Sequence, residues 1–289
     1  MSTAQPKPRE DEIDVFGVTH AGLKRGSNQD HFLISSLGAR LVVHQTSLPD
    51  PPDESLIPEL GAGERAAFLA VVADGVGSSS WGEEASRLAV EEVTLYVARS
   101  MHAFYTTDPN DDGALLHALD QAAQRSHAEL LRRAEEDAAR RGMATTLTLW
   151  LGVWPRAFVL QVGDSRYYSL RDGELTQVSR DQTIAQDLVD QGVLSQVDAS
   201  RTRWAHVLSS AIGGPSAVPT ITRVQNDWST VHLLCSDGLT KHVSDERIRE
   251  RLAGMESAQQ ACEALLGDAL EGGGTDNITI IVGRAKPSV

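Results

Sequence analysis

The chain has 289 residues, 41% hydrophobic and 23% charged, with 40 acidic against 26 basic side chains and a net charge of −14. That is ordinary globular composition with no Lys/Arg-rich stretch to displace counterions from phosphates, so nucleic acid is excluded as a partner. The two cysteines, Cys235 and Cys262, have no CxxC spacing, and the longest apolar run, Ala66 to Ala73, is far below the ~18 residues of a membrane span. We therefore expect a cytoplasmic protein with no disulfide framework and no membrane attachment.

Residues 1–12 are polar, carry Pro6 and Pro8, and read as a flexible tail rather than a signal peptide. Short β-compatible runs follow at Val15–Thr19, His31–Ser35 and Leu41–His44. From 44 to 65 the chain holds four prolines and two glycines, which predicts a long surface loop. Phe68–Ala73 is a continuous apolar strand ending in Asp74-Gly75. Ala85, Leu88, Ala89, Val93, Tyr96 and Val97 recur at three and four, one helical stripe, and Leu116 to Ala138 repeats the pattern. Strands are expected at Thr145–Val153, Ala157–Val162, Tyr167–Leu170 and Leu175–Val178, then a polar helical stretch from Ile184 to Ala205. Val231–Cys235 is a strand, Asp245–Leu252 and Ala258–Leu270 are helices, and Asn277–Val282 is the last strand. Strands at both ends with helix pairs between and after them predict two packed antiparallel sheets flanked by helices, in one α+β domain over residues 13–285.

Four aspartates stand at strand ends beside small residues: Ala73-Asp74-Gly75, Gly163-Asp164-Ser165, Ser236-Asp237-Gly238 and Thr275-Asp276-Asn277. One Asp-Gly after a strand is usually a turn. Four of them converging at one sheet rim would repel unless cations neutralised them, and hard oxygen donors select Mg²⁺ or Mn²⁺.

In order, Arg25-Gly-Ser-Asn28-Gln29-Asp30, Asp74-Gly75-Val76-Gly77, Gly142-Met-Ala-Thr145-Thr146, Gly163-Asp164-Ser165-Arg166, Ser236-Asp237-Gly238-Leu239 and Thr275-Asp276-Asn277 resemble the metal-dependent 2C-type serine/threonine protein phosphatases, the PPM family, as a bacterial-like single-domain member. The resemblance implies a four-layer α-β-β-α sandwich with two Mn²⁺ or Mg²⁺ ions in a cleft at the sheet rim. By position, Asp74 matches the carboxylate that bridges both metals, with the Gly75 carbonyl on one, and Asp237 and Asp276 match ligands of the other. Asp164 matches the site of a third, weaker metal. Asp30 matches a residue that orients water, and Arg25 the arginine that binds phosphate. Gln29 and Asn277 stand behind these ligands. Residues 183–205 match a variable flap beside the cleft, with Thr183 at its start, Gly192 as a hinge and Trp204 near its end.

Three positions depart from that pattern: Gln29 where Glu is frequent, Val76 where animal members carry a general-acid histidine, and Gln182 where His is usual. Leaving-group protonation must then come from elsewhere than position 76. Asp108 to Gly113 opens like a calcium loop but has Leu119 where its last ligand belongs. Gly61 to Ala66 imitates a dinucleotide fingerprint without a preceding strand. The function implied is hydrolysis of phosphoserine and phosphothreonine in proteins, reversing a serine/threonine kinase, by a monomer. The competing reading is a pseudophosphatase, a binding module that keeps the fold.

Overall fold

The computed structural model describes residues 6–38, 40–52, 65–76, 81–107 and 112–286. Five strands form one antiparallel sheet: β1 (Ile13–His20), β8 (Arg166–Arg171), β9 (Glu174–Gln177), β11 (Val231–Cys235) and β12 (Ile278–Ala285), in the order β1-β12-β11-β8-β9. The second sheet runs β10-β7-β6-β4-β2-β3, from β2 (Asp30–Leu37), β3 (Leu41–Thr46), β4 (Ala67–Val76), β6 (Leu147–Val153), β7 (Arg156–Val162) and β10 (Thr220–Gln225). The short β5 (Ala144–Thr145) pairs with the end of β4. Long helices α1 (Trp81–Thr107) and α2 (Asp112–Glu136) cover the larger sheet. Helices α6 (Asp245–Ala253) and α7 (Ala258–Glu271) cover the smaller one.

Side chains of a strand alternate between its two faces, so a strand buried on both must be apolar throughout. In β4, Leu69, Val71 and Ala73 join the core under α1 and α2, while Phe68, Ala70 and Val72 point between the sheets. In β12, Ile278, Ile280 and Val282 meet α6 and α7, while Ile281 faces Trp150 and Tyr167 in the layer between sheets. Each sheet is a wall shared by two cores, which is the four-layer architecture expected.

Several boundaries differ from the sequence reading. The tail expected over 1–12 is docked in its second half: Trp228 Nε1 donates to the Pro6 carbonyl at 2.8 Å, Arg65 donates to Pro8 at 2.6 Å, and a short 3-10 helix spans Glu10–Glu12. Residues 1–5 lie outside the described residues. The loop expected from 44 begins later, because β3 continues to Thr46, Ser47 N–H donates to the Phe32 carbonyl at 3.1 Å and Ser47 Oγ accepts from Phe32 N–H at 2.9 Å. Its centre, 53–64, lies outside the described residues, as does most of the calcium-loop imitation. The single strand expected over 145–153 is two, because the chain leaves β5 for β6 at Thr146, whose hydroxyl bonds sideways to Asp74. The helical stretch after Thr183 is three short pieces: α3 (Ile184–Asp190), α4 (Gln196–Ala199) and a 3-10 turn at Arg203–His206. Gly192 sits between the first two with φ +71°, a left-handed conformation that ends a helix.

Candidate metal centre and phosphate cleft

Antiparallel pairing of β2 with β4 sets Asp30 directly across from Asp74 at the rim. The neighbouring sheet delivers Ser236 and Asp237 from the end of β11, where a one-turn helix α5 (Asp237–Thr240) begins, and Asp276 and Asn277 just ahead of β12. Asp164 follows β7. Arg25, Gln29, Asp74, Gly75, Asp164, Asp237 and Asp276 line one cleft together with Val76, Thr146, His206, Leu208 and Lys241. Asp30 lies beneath it, 2% exposed.

The backbone around the aspartates is tightly held. Asp74 N–H donates to Thr146 Oγ1 at 3.0 Å, and the Asp74 carbonyl accepts from Thr146 N at 2.9 Å and Thr145 Oγ1 at 2.9 Å. A β-carbon on Gly75 would stand 2.2 Å from the Gly82 carbonyl oxygen, so only glycine lets β4 pass the start of α1. Asn277 anchors the other side: its Oδ1 accepts from Gln29 N at 2.9 Å, and its Nδ2 donates to the Ser27 and Ala21 carbonyls at 2.8 and 3.0 Å. The Gln29 amide group packs against Gly82. Gly163, at φ +105°, is clamped by Gln182, which accepts its N–H at 2.8 Å and returns a backbone bond at 3.0 Å. Gln182 thereby positions the turn that presents Asp164.

The carboxylates divide by their partners. Asp30 Oδ2 accepts from Ser236 Oγ and Thr279 Oγ1, both at 2.7 Å. Burial nevertheless pushes Asp30 up to about 6, against those hydrogen bonds. Asp164 rises to about 7 through burial and then the charges of Asp237 and Asp181. Loss of solvent and the surrounding carboxylates hold Asp74 well above the usual range. Asp276 is the opposite case. Burial would raise it, but Arg25 grips it in a two-pronged pair, Nε–Oδ1 at 2.7 Å and Nη2–Oδ2 at 2.9 Å, and Lys241 Nζ adds a third bond at 2.7 Å. These cations keep Asp276 below the ordinary carboxylate value. Lys241 Nζ also reaches Asp237 Oδ2 at 2.6 Å.

Two observations bear on a metal. Asp30 Oδ1 and Asp237 Oδ1 are buried with no hydrogen-bond partner, a costly state for a carboxylate oxygen. All the donors are hard oxygens, suited to Mg²⁺ or Mn²⁺. Among the described residues, no three carboxylate, histidine or cysteine side chains close on one point, and Lys241 stands between Asp237 and Asp276. The donor set fits divalent ions once that ammonium moves aside.

Beside Asp164 the cleft widens into an open space walled by Thr183, Ala185, Gln186, Gln196, Ala199 and Ser200. Thr183 caps α3, accepting from Gln186 N at 3.2 Å. Gly192 and Trp204 do not line this space; Trp204 is 37% exposed with Arg203 stacked over its ring. Sequence reading placed Thr146 and Ser236 in its motifs without giving them a role, and it passed over Thr279, His206 and Lys241. Of those three only Lys241 carried a signal, its i+4 spacing from Asp237.

The sequence profile described as Protein phosphatase 2C matches residues 60–271. Serine/threonine protein phosphatase PstP of Mycobacterium tuberculosis is 37% identical over 216 residues, which cover 75% of this chain and 40% of PstP, so the chain spans about two fifths of that relative. The crystal structure of Mycobacterium tuberculosis PstP superposes with a TM-score of 0.73 at 31% identity, covering 95% of this chain and 99% of that one. The PstP catalytic domain in complex with two manganese ions superposes at 0.69, with 31% identity and the same coverage. Among the described residues no helix is long and apolar enough to cross a membrane.

Proposed function

The chain belongs to the protein phosphatase 2C family, and from that premise we propose that it hydrolyses phosphoserine and phosphothreonine esters in proteins, using divalent metal ions in the rim cleft. The observation that carries the reading is the convergence of Asp74, Asp164, Asp237 and Asp276 on one cleft, above an Asp30 whose free oxygen is buried. Asp74, the Gly75 carbonyl, Asp237 and Asp276 would hold two Mn²⁺ or Mg²⁺ ions, and Asp164 a third. When bound, the ions supply positive charge to the phosphoryl oxygens and acidify water.

The chain's own residues do the rest. Arg25, a planar fork that now grips Asp276, is suited to grip two phosphate oxygens instead. Asp30, fixed by Ser236 and Thr279, keeps one acceptor oxygen open to orient a water molecule. Thr145 and Thr146 hold the Asp74 backbone still, so that charge is preorganised. The segment 183–205 forms a wall for a peptide. The catalytic domain is taken as 13–285, and the substrates as phosphoproteins made by a cognate serine/threonine kinase, met in the cytoplasm by a monomer. No observation favours the pseudophosphatase alternative.

Phosphate release from a phosphothreonine peptide tests this directly. Activity is expected with Mn²⁺ or Mg²⁺ and none in excess chelator. Full turnover in chelator, or rescue by zinc alone, would overturn the proposal.

A further inference from the structure

We propose that Lys241 is a tethered counter-cation that occupies the space between Asp237 and Asp276 in the metal-free protein and thereby sets how tightly a divalent ion binds there. The inference rests on the metal-dependent reading above and concerns a residue that reading does not use.

The geometry is fixed by the backbone. Helix α5 makes a single turn, and Lys241 N–H donates to the Asp237 carbonyl at 2.9 Å, so the lysine stem rises over the aspartate four residues before it. Its Nζ lies 2.6 Å from Asp237 Oδ2 and 2.7 Å from Asp276 Oδ2, with the side chain only 23% exposed. These are two short charge-assisted hydrogen bonds from one ammonium to two proposed ligands of the same ion.

Counting acceptor positions shows what a metal meets. Asp276 Oδ1 already accepts from Arg25 Nε and from Asn277 N at 3.0 Å, and Oδ2 accepts from Arg25 Nη2 and Lys241. A carboxylate has about four such positions, so Asp276 is saturated. Asp237 is not, because its Oδ1 is buried and open while Oδ2 is held by the lysine. At Asp237 Oδ1 an ion meets no competing donor, but it can reach Asp276 only by displacing one. Arg25 holds Asp276 with two bonds in a rigid fork, whereas Lys241 holds it with one bond on a flexible four-carbon stem. Lys241 is therefore the donor that yields. Displacement breaks both of its hydrogen bonds and leaves a positive charge beside the incoming ion, and each lowers affinity. In the metal-free protein the same ammonium offsets repulsion between Asp237 and Asp276.

The test uses the intact chain and Mn²⁺ alone, by isothermal titration, with no substrate. Lys241→Met keeps most of the stem and removes the charge; Lys241→Gln repeats the test if the methionine variant folds poorly, as judged by circular dichroism. Loss of the competing ammonium is expected to tighten Mn²⁺ binding about tenfold, equivalent to about 1.4 kcal/mol. The same variants should melt earlier than wild type in chelator and recover on adding Mn²⁺. Unchanged Mn²⁺ affinity retires the proposal while leaving the phosphatase reading intact. Weaker binding in the variants also overturns it, showing instead that the ammonium organises the carboxylates for the ion. Failure of wild type and variants alike to bind Mn²⁺ would retire the metal-dependent reading and this inference together.

Discussion

The two sides of the rim cleft treat the same residue type in opposite ways. Where β2 meets β4, Asp30 has only two neutral hydroxyls as partners, both on Oδ2, and burial drives it up to about 6, with Asp74 opposite it held higher than usual. Where β11 and β12 end, Asp276 is just as much a part of the site but is gripped by Arg25 and Lys241 and lies below its ordinary value. Burial without a counter-cation favours the neutral acid, and burial with one favours the carboxylate. The first side is thus short of positive charge, and the second carries its own.

The largest expected effect follows from neutralising the cation-poor side. Asp74→Asn should lower kcat on a phosphothreonine peptide by about three orders of magnitude, because a residue proposed to bridge the ions is lost. In chelator the same variant should melt higher than wild type, since one crowded negative charge is gone. Asp237→Asn should lose a comparable rate without that gain, because Lys241 then loses a partner. Near-wild-type turnover by Asp74→Asn would remove it from the metal assignment.

pH separates the sides next. The folded values of Asp30 and Asp164, about 6 and about 7, lie above the unfolded value. Between those values the folded chain keeps protons that the unfolded chain has released. Their contribution is therefore fully present below about pH 4 and is lost as pH rises through 6 and 7. Asp276 runs the other way: its contribution is present above the unfolded value and lost only as pH falls through its depressed folded value. The metal-free protein should consequently be less stable at pH 8 than at pH 5 by roughly 4 kcal/mol, and Asp30→Asn should make that slope shallower. Denaturant melts in chelator measure it; stability that climbs from pH 5 to pH 8 would contradict the assignment of burial as the dominant influence.

This contrast also explains what could be read from the chain alone. Strands such as Phe68–Ala73 and Val231–Cys235 were legible because both faces are buried, which forces continuous apolar runs. The edge strand β10, Thr-Ile-Thr-Arg-Val-Gln, was not, since its outward positions are polar and its pairing with β7 is set by tertiary contact. Aspartates at strand ends marked the site. The groups that tune them did not, because Ser236 and Thr279 reach Asp30 across 206 and 249 residues of chain. A lysine four residues after an aspartate reads as an ordinary surface pair until Asp276 arrives on its other side.

Arg25 tests whether the cation-rich side serves substrate as well as ligand. Arg25→Ala should raise KM for phosphopeptides about tenfold with a smaller loss in kcat, as expected when an interaction is made in the ground state as well as the transition state. An unchanged KM would make the guanidinium a structural partner of Asp276 and nothing more.

The smallest expected effect concerns the wall beside Asp164. Residues 183–205 are tied down at their ends by the Thr183–Leu208 bridge and by Ile184 N–H, which donates to Val207 at 2.8 Å, while Ala185 and Ala199 are buried. A peptide needs a surface to lie along, whereas p-nitrophenyl phosphate needs only the cleft itself. Replacing the segment with a short Gly-Ser linker should lower kcat/KM for a phosphoprotein about fivefold more than for p-nitrophenyl phosphate, a differential near 1 kcal/mol. If the segment merely packs on the sandwich, its removal would depress both activities equally and lower the melting temperature. Both rates measured beside a melting curve decide between the two, and an equal loss with an earlier melt would make the wall a structural brace and leave substrate choice to the cleft.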